Sequence, residues 1–188
     1  MAVRNLTEVA GMLTFRDRIP RDVYDISFME ASFEASSKGN MMIILEPEIV
    51  GPEKVTVNGQ AKIVAGVKCN KMYFPTIIYK DVDGVKVRDD AASEKALDRL
   101  RELYSALRID MTGFDDENPI LEPLKKVVAR AVLGAEETKA CKDPTPEQLA
   151  KGQKFGDPII ENGKEVVSYR INVTNVLGLS SKQVGKPF

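Results

Sequence analysis

The stretch "SSKGNMMIILEPEIVGPEKV", residues 36–55, decides how the chain is read. Ser36-Ser37-Lys38-Gly39-Asn40 is a polar turn, and Gly39-Asn40 suits a backbone with positive φ. Met41–Leu45 is then apolar almost without interruption, as in a strand covered on both sides. Pro47 has no N–H to give to a ladder, so an edge, a bulge or a bend is expected there. A strand that bends in this way suits a small barrel. No nucleophile, histidine or phosphate-binding loop lies nearby, so this stretch builds a surface and carries no chemistry.

Outward from it, the text is mostly β. "DISFMEASFEAS" precedes the turn and carries Phe28 and Phe33. These have opposite parity and can share a face only across a bulge. Downstream, Val55 and Val57 lead to Asn58-Gly59, a strong two-residue hairpin signal. "AKIVAGVKCNKMYFPTIIY" continues the strand text with a bend at Gly66, and Asp83-Gly84 marks another tight turn. One segment then changes period. In "SEKALDRLRELYSALRI", Ala96, Leu97, Leu100, Leu103, Tyr104 and Leu107 fall on one helical face, with Asp90 or Ser93 as the cap. Val127, Ala129, Ala131 and Leu133 alternate with Val128, Arg130 and Val132. The pattern fits strand or helix, and its β-branched content favours strand. Residues 142–164 form a Pro/Gly-rich loop with one helical turn near Glu147–Lys151, and "EVVSYRINVTNVLGL" is a last strand.

The order is strand, strand, strand, helix, strand, strand. It predicts a mainly β fold: a five-stranded Greek-key barrel of the OB type, whose helix lies between strands three and four. Residues 1–22 read as an N-terminal arm, 23–178 as the barrel domain and 179–188 as a C-terminal tail.

Composition narrows the function. The chain has 188 residues, enough for one domain with a real core. The 43% apolar and 29% charged fractions are those of a soluble globular protein. No run approaches the roughly 18 apolar residues of a membrane span, and the first residues carry no signal-peptide core, so an intracellular location is expected. There is no histidine, which excludes Ser-His-Asp and Cys-His catalysis and removes the commonest zinc ligand. Cys69 and Cys141 lie far apart and read as ordinary reduced thiols. Asp110, Asp115, Asp116 and Glu117 are the one dense acidic group. Their Gly/Asn/Pro setting points to a solvated loop, with a carboxylate–metal enzyme as the minor reading. No enzyme activity and no cofactor is expected.

Charge is unevenly spread although the net is −1. Residues 62–88 hold six bases against Asp81 and Asp83, a balance of +4. Residues 110–122 hold five acids and no base, and 164–188 balance to +3. A dipolar surface of this kind can hold an anion on one face.

The turn "SSKGNMMIILEPEIV", the helix "ALDRLRELYSALRI", the strand "VVARAVLG" and the final "YRINVTNVLGL" together resemble small phage proteins encoded near replication and recombination genes. Those look like single-stranded DNA-binding proteins with an OB-fold. The resemblance covers roughly residues 25–178 and is one of strand and helix text. It implies non-sequence-specific binding of single-stranded DNA in the host-cell cytoplasm, with phage replication or recombination proteins as partners, no membrane, and self-association left open. Replicative binders of this kind commonly end in an acidic tail with a terminal aromatic. Here Phe188 is in place, but Lys182 and Lys186 stand where acids would be. Phe188 is the candidate partner-binding residue.

Single-strand binding needs cations along the phosphates and exposed aromatics under the bases. Lys68, Lys71, Tyr73, Tyr79 and Lys80 interleave the two best. Tyr73 and Phe74 must point to opposite faces of a strand, and Tyr73 is expected outward beside Lys71, with Phe74 in the core. Lys38 is the turn cation. Arg170, after Tyr169, is a second groove cation. Arg130 is either a groove cation or half of a rim salt bridge. The rival from another class is a structural or assembly protein of a virus, in which the same β text builds a protein-interaction surface without nucleic-acid binding.

Overall fold

A computed structural model describes residues 11–125 and 127–181. Five strands form one antiparallel sheet: β1 (Asp22–Ala35), β2 (Met41–Gly51), β5 (Met72–Ile77), β8 (Val128–Lys139) and β11 (Val167–Leu179), in the order β11-β8-β1-β2-β5. Three small hairpins decorate it: β3 (Lys54–Val57) with β4 (Gln60–Ile63), β6 (Tyr79–Val82) with β7 (Val85–Arg88), and β9 (Ile160–Glu161) with β10 (Lys164–Glu165). The helix α1 (Asp90–Ala106) lies between β7 and β8, and the short α2 (Pro146–Ala150) sits in the loop between β8 and β9. Among the described residues no helix is long and apolar enough to cross a membrane.

The turns follow their residue types. Asn58 and Gly59, and likewise Asp83 and Gly84, all have positive φ, as a two-residue hairpin that matches strand twist requires. The register of β1 on β2 shifts between Phe28 and Glu30, leaving Met29 as an extra residue opposite Pro47 and Glu46. This bulge resolves the parity of Phe28 and Phe33: Phe28 is fully buried and Phe33 packs against the same core. Along β2, buried residues alternate with half-buried ones. The core therefore lies on one face of this strand, and its Met42 and Ile44 are only partly covered on the other.

That core joins Ile26, Phe28, Ile43, Leu45 and Phe74 of the sheet to Leu97, Leu100, Leu103 and Tyr104 of α1. Each such leucine contributes about 1.5–3 kcal/mol when fully buried. The inward set of β8, Ala129, Ala131 and Leu133, has the parity expected for a strand. The helix cap differs from expectation by one residue. Asp89, not Asp90 or Ser93, accepts the Ala92 N–H at 3.1 Å. Ser93 is buried instead, where its hydroxyl accepts the Ile78 N–H and donates to the Asp89 carbonyl, tying the helix start to the end of β5.

The two edge strands, β5 and β11, are not paired with each other as strands. Just before β5, Asn70 donates its N–H to the Ile171 carbonyl of β11 at 2.7 Å and its side-chain amide to Asn172. Helix α1 packs on both strands. The described part of the N-terminal segment is fastened down. Ile63 bonds to Gly11 and Leu13, the Phe15 carbonyl accepts from Tyr169 N–H at 2.7 Å, and Ile19 is buried. Phe188 lies outside the described residues, as do Lys182 and Lys186.

Candidate nucleic-acid interface

The turn 36–40 is a built element. Ser36 N–H bonds to the Asn40 carbonyl, Gly39 N–H to the Ser36 carbonyl, and the Ser36 hydroxyl accepts from Asn40 N–H. The Asn40 side chain then accepts from Tyr79 N–H at 3.0 Å, and Lys86 Nζ donates to the Lys38 carbonyl at 2.7 Å. Gly39 has φ +83° and leaves room for that ammonium: a Cβ there would lie 2.4 Å from Lys86 Nζ. The turn and the β6–β7 hairpin thus form one unit, and it gathers Lys38, Tyr79 and Lys86. Register places Tyr79, Asp81, Lys86 and Arg88 on one side of the hairpin ribbon, and Lys80, Val82, Val85 and Val87 on the other. Lys80 therefore turns away from Lys86 and pairs with Asp89 at 3.6 Å.

The second group sits on the outer face of β2 and β5. Phe74 is in the core at 4% exposure, and Tyr73, opposite Ile44, is 53% exposed. Lys68 and Lys71 precede β5 rather than lying in it, so the strand is shorter than the β text suggested. Lys71 is 2.5 Å from Glu46, and this contact holds the Glu46 carboxyl below its ordinary pKa. Glu30, Glu46 and Glu48 line one hollow together with Lys68 and Lys71. This face presents an aromatic ring, but its cations are matched by carboxylates.

Arg130 stands exposed on β8, across from Asp25 of β1, and joins neither group. Arg170 is at the far end of β11, with its guanidinium 5.0 Å over the ring of Phe155. Its cross-strand neighbour Glu136 accepts a hydrogen bond from Asn172 instead. The candidate residues therefore divide into a turn–hairpin unit, a β5 face and a β11 end, with Arg130 apart.

Sequence reasoning missed Lys86, Phe15 and Phe155 as candidates. Both phenylalanines are half-exposed, at 51% and 55%, and carry arginines, Arg16 over Phe15 at 5.4 Å and Arg170 over Phe155. The signal was present, because Phe15-Arg16 and Lys154-Phe155 are adjacent aromatic–cation pairs like Tyr169-Arg170. They sit in text without strand periodicity.

The acidic stretch is spent on turns. Asp110 accepts from Thr112 N–H and hydroxyl, Asp115 from Glu117 and Asn118 N–H, and Asp116 holds Arg88 at 2.6 Å. Among the described residues, no three His, Cys, Asp or Glu side chains are grouped to hold a metal ion. No family model, curated protein or solved structure matches the chain.

Proposed function

We propose that this chain binds single-stranded DNA without sequence preference, in phage DNA replication or recombination, on an OB-type Greek-key barrel. The observation that carries the proposal is the strand order. Opening a five-stranded OB barrel between its third and fifth strands leaves the order five-four-one-two-three, with the helix after the third. The order β11-β8-β1-β2-β5, with α1 following the third of these strands in the chain, has that form. The Asn70–Ile171 bond runs across the seam where such a barrel closes or stays partly open.

OB-folds bind oligonucleotides on the face of strands two and three and with the loops between strands one and two and between four and five. On this reading the corresponding positions are those of Tyr73 on β5, of Lys38 with Lys86 beside the first loop, and of the long loop 140–166. Exposed rings for stacking and cations at the rims are what single-strand binding requires. A gel-shift titration with single- and double-stranded oligonucleotides at two salt concentrations tests the proposal. Binding should favour the single strand and weaken as salt rises. Equal affinity for duplex and single strand at matched salt would sink it.

The β6–β7 hairpin favours the other reading, a structural or assembly protein of a virus. Val82, Val85 and Val87 are exposed on one side of the ribbon, and such a patch suits a protein partner. Absence of any salt-sensitive oligo-dT binding would leave this second reading standing.

A further inference from the structure

Between β8, β11, the N-terminal segment and the loop 140–166 lies a cavity of about 460 Å³. Its walls are apolar, with Phe15, Phe155, Ile159 and Cys141 contributing. Among the described residues, the charged groups in the wall are Lys139 and Arg170, and no carboxylate lines it. Lys139 is ion-paired with Glu165, which lies outside the wall, while Arg170 rests on Phe155. The polar remainder is Thr138 and Ser168, whose hydroxyls are 2.7 Å apart.

Phe15 and Phe155 are half-exposed, and both line this one cavity. The two rings make an apolar slot whose cationic edge is Arg170, since the Arg16 guanidinium over Phe15 is held by the Glu161 carboxylate outside the wall. Its position is fixed from both sides: Phe15 by the bond of its carbonyl to Tyr169, and Phe155 by the neighbouring Gly156 N–H, which bonds to the Lys142 carbonyl. Gly156 has no room for a side chain, since a Cβ there would lie 2.6 Å from the Asp143 carbonyl oxygen. The loop at Phe155 is therefore packed backbone to backbone. A planar, uncharged ring attached to a polyanion matches this slot better than a peptide side chain does. The ring stacks on phenylalanine and its phosphate meets Arg170.

We infer that the Phe15–Phe155 cavity is a nucleobase-stacking site, in which one base of a bound single strand is held while Arg170 takes the adjoining phosphate. The inference rests on the proposed single-strand binding and assigns it a site distinct from the Tyr73 face.

The test compares a short oligo-dT with an abasic phosphodiester chain of equal length. Wild type should prefer oligo-dT. Phe155→Ala should weaken oligo-dT binding on the order of 10–100-fold, the worth of one stacked base, and leave the abasic chain almost unaffected. Phe155→Tyr, which keeps the ring, should retain wild-type affinity. Thermal melts on both variants report folding, and Phe15→Ala provides a second truncation in the same cavity. Oligo-dT binding by both alanine variants as tight as wild type overturns the stacking site and leaves single-strand binding intact. Equal losses on both probes also overturn it, because the loop would then act through charge alone. Failure of the wild type to bind either probe overturns the functional proposal and this site with it.

Discussion

Tyr73 and Phe74, neighbours on β5, stand on opposite faces of the sheet: Phe74 is buried in the core that also holds Leu97, Leu100 and Leu103, while Tyr73 is exposed opposite Ile44. The two truncations should therefore separate. Phe74→Ala is expected to cost about 3–5 kcal/mol of stability, the range for a large buried aromatic. Tyr73→Ala should leave the melting temperature nearly unchanged and cost about 1–3 kcal/mol of single-strand affinity if a base stacks there. Paired melts and oligonucleotide titrations decide it. A Tyr73→Ala protein that melts as early as Phe74→Ala would contradict the outward placement.

The cysteines should differ in reactivity and in their effect on alkaline stability. Cys69 is buried, and desolvation, with Glu48 adding, pushes its thiol up to about 12 from an ordinary 9.0. The folded pKa is above the unfolded one, so the native state keeps a proton that the unfolded chain releases. The stabilisation is whole below about pH 9 and is lost as pH climbs toward about 12. Tyr104, buried and also raised to about 12, acts in the same direction from about pH 10. Cys69→Ala should flatten the first part of the alkaline decline in denaturant midpoint, and Tyr104→Phe the later part. At pH 8 a thiol reagent should label the partly exposed Cys141 and spare Cys69 in the native protein. Rapid modification of both thiols would refute the burial argument.

Removing the hydroxyl of Tyr104 is informative for another reason. That oxygen is buried and has no hydrogen-bond partner among the described residues, and the ring meets Phe114 edge-on at 6.0 Å. An unsatisfied buried hydroxyl is a cost. Tyr104→Phe should be neutral or stabilising in urea unfolding at neutral pH. A loss above about 1 kcal/mol would mean that the hydroxyl has a partner after all.

Much of the architecture was legible because it rests on local chemistry. The β-branched alternation in 127–133 favoured the strand that β8 is and separated its two faces without saying which is core, Asn58-Gly59 and Asp83-Gly84 marked two hairpin turns, and the spacing from Leu97 to Leu107 marked the helix face. The site was less legible because it depends on long-range placement. Lys71 reads as a free cation in sequence, but β2 brings Glu46 against it. The aromatic–cation pair Tyr79-Lys80 singles out Lys80 and passes over Lys86, yet hairpin register sends the two lysines to opposite sides and it is Lys86 that meets the turn. Phe15 and Phe155 are separated by most of the chain and meet at one cavity only through the pairing of β8 with β11. The cap moved from Asp90 to Asp89 because helix ends are set by which carboxylate reaches the third N–H, and composition cannot distinguish adjacent aspartates.

Asp89 should accordingly behave as a cap and Asp90 should not. Asp89→Ala removes the acceptor of Ala92 N–H and the partner of Lys80, and should cost about 0.5–2 kcal/mol of stability. Asp89→Asn should recover most of this, since asparagine caps as well, whereas Lys80→Ala alone should cost little because exposed ion pairs contribute about 0–1 kcal/mol. Chemical denaturation of the three variants beside Asp90→Ala orders them. A larger loss for Asp90→Ala than for Asp89→Ala would place the helix start one residue later.

Lys86 of the β6–β7 hairpin is tied to the 36–40 turn through its bond to the Lys38 backbone carbonyl. If this end of the sheet tracks a strand's phosphates, each lysine releases counterions when the strand binds. For single-stranded nucleic acid, the slope of log affinity against log salt falls by about 0.7 for each phosphate neutralised. Lys38→Ala with Lys86→Ala should therefore flatten the slope by about 1.4 and weaken binding most at low salt. Lys80→Ala, on the other side of the ribbon and held by Asp89, should change the slope far less. Losing the Lys86 contact removes one exposed hydrogen bond, so melting should shift little, and binding can be measured on folded protein. An unchanged slope in the double variant, with oligo-dT still bound, would move the phosphate track away from the turn–hairpin end and toward Arg170 and the loop beyond β8.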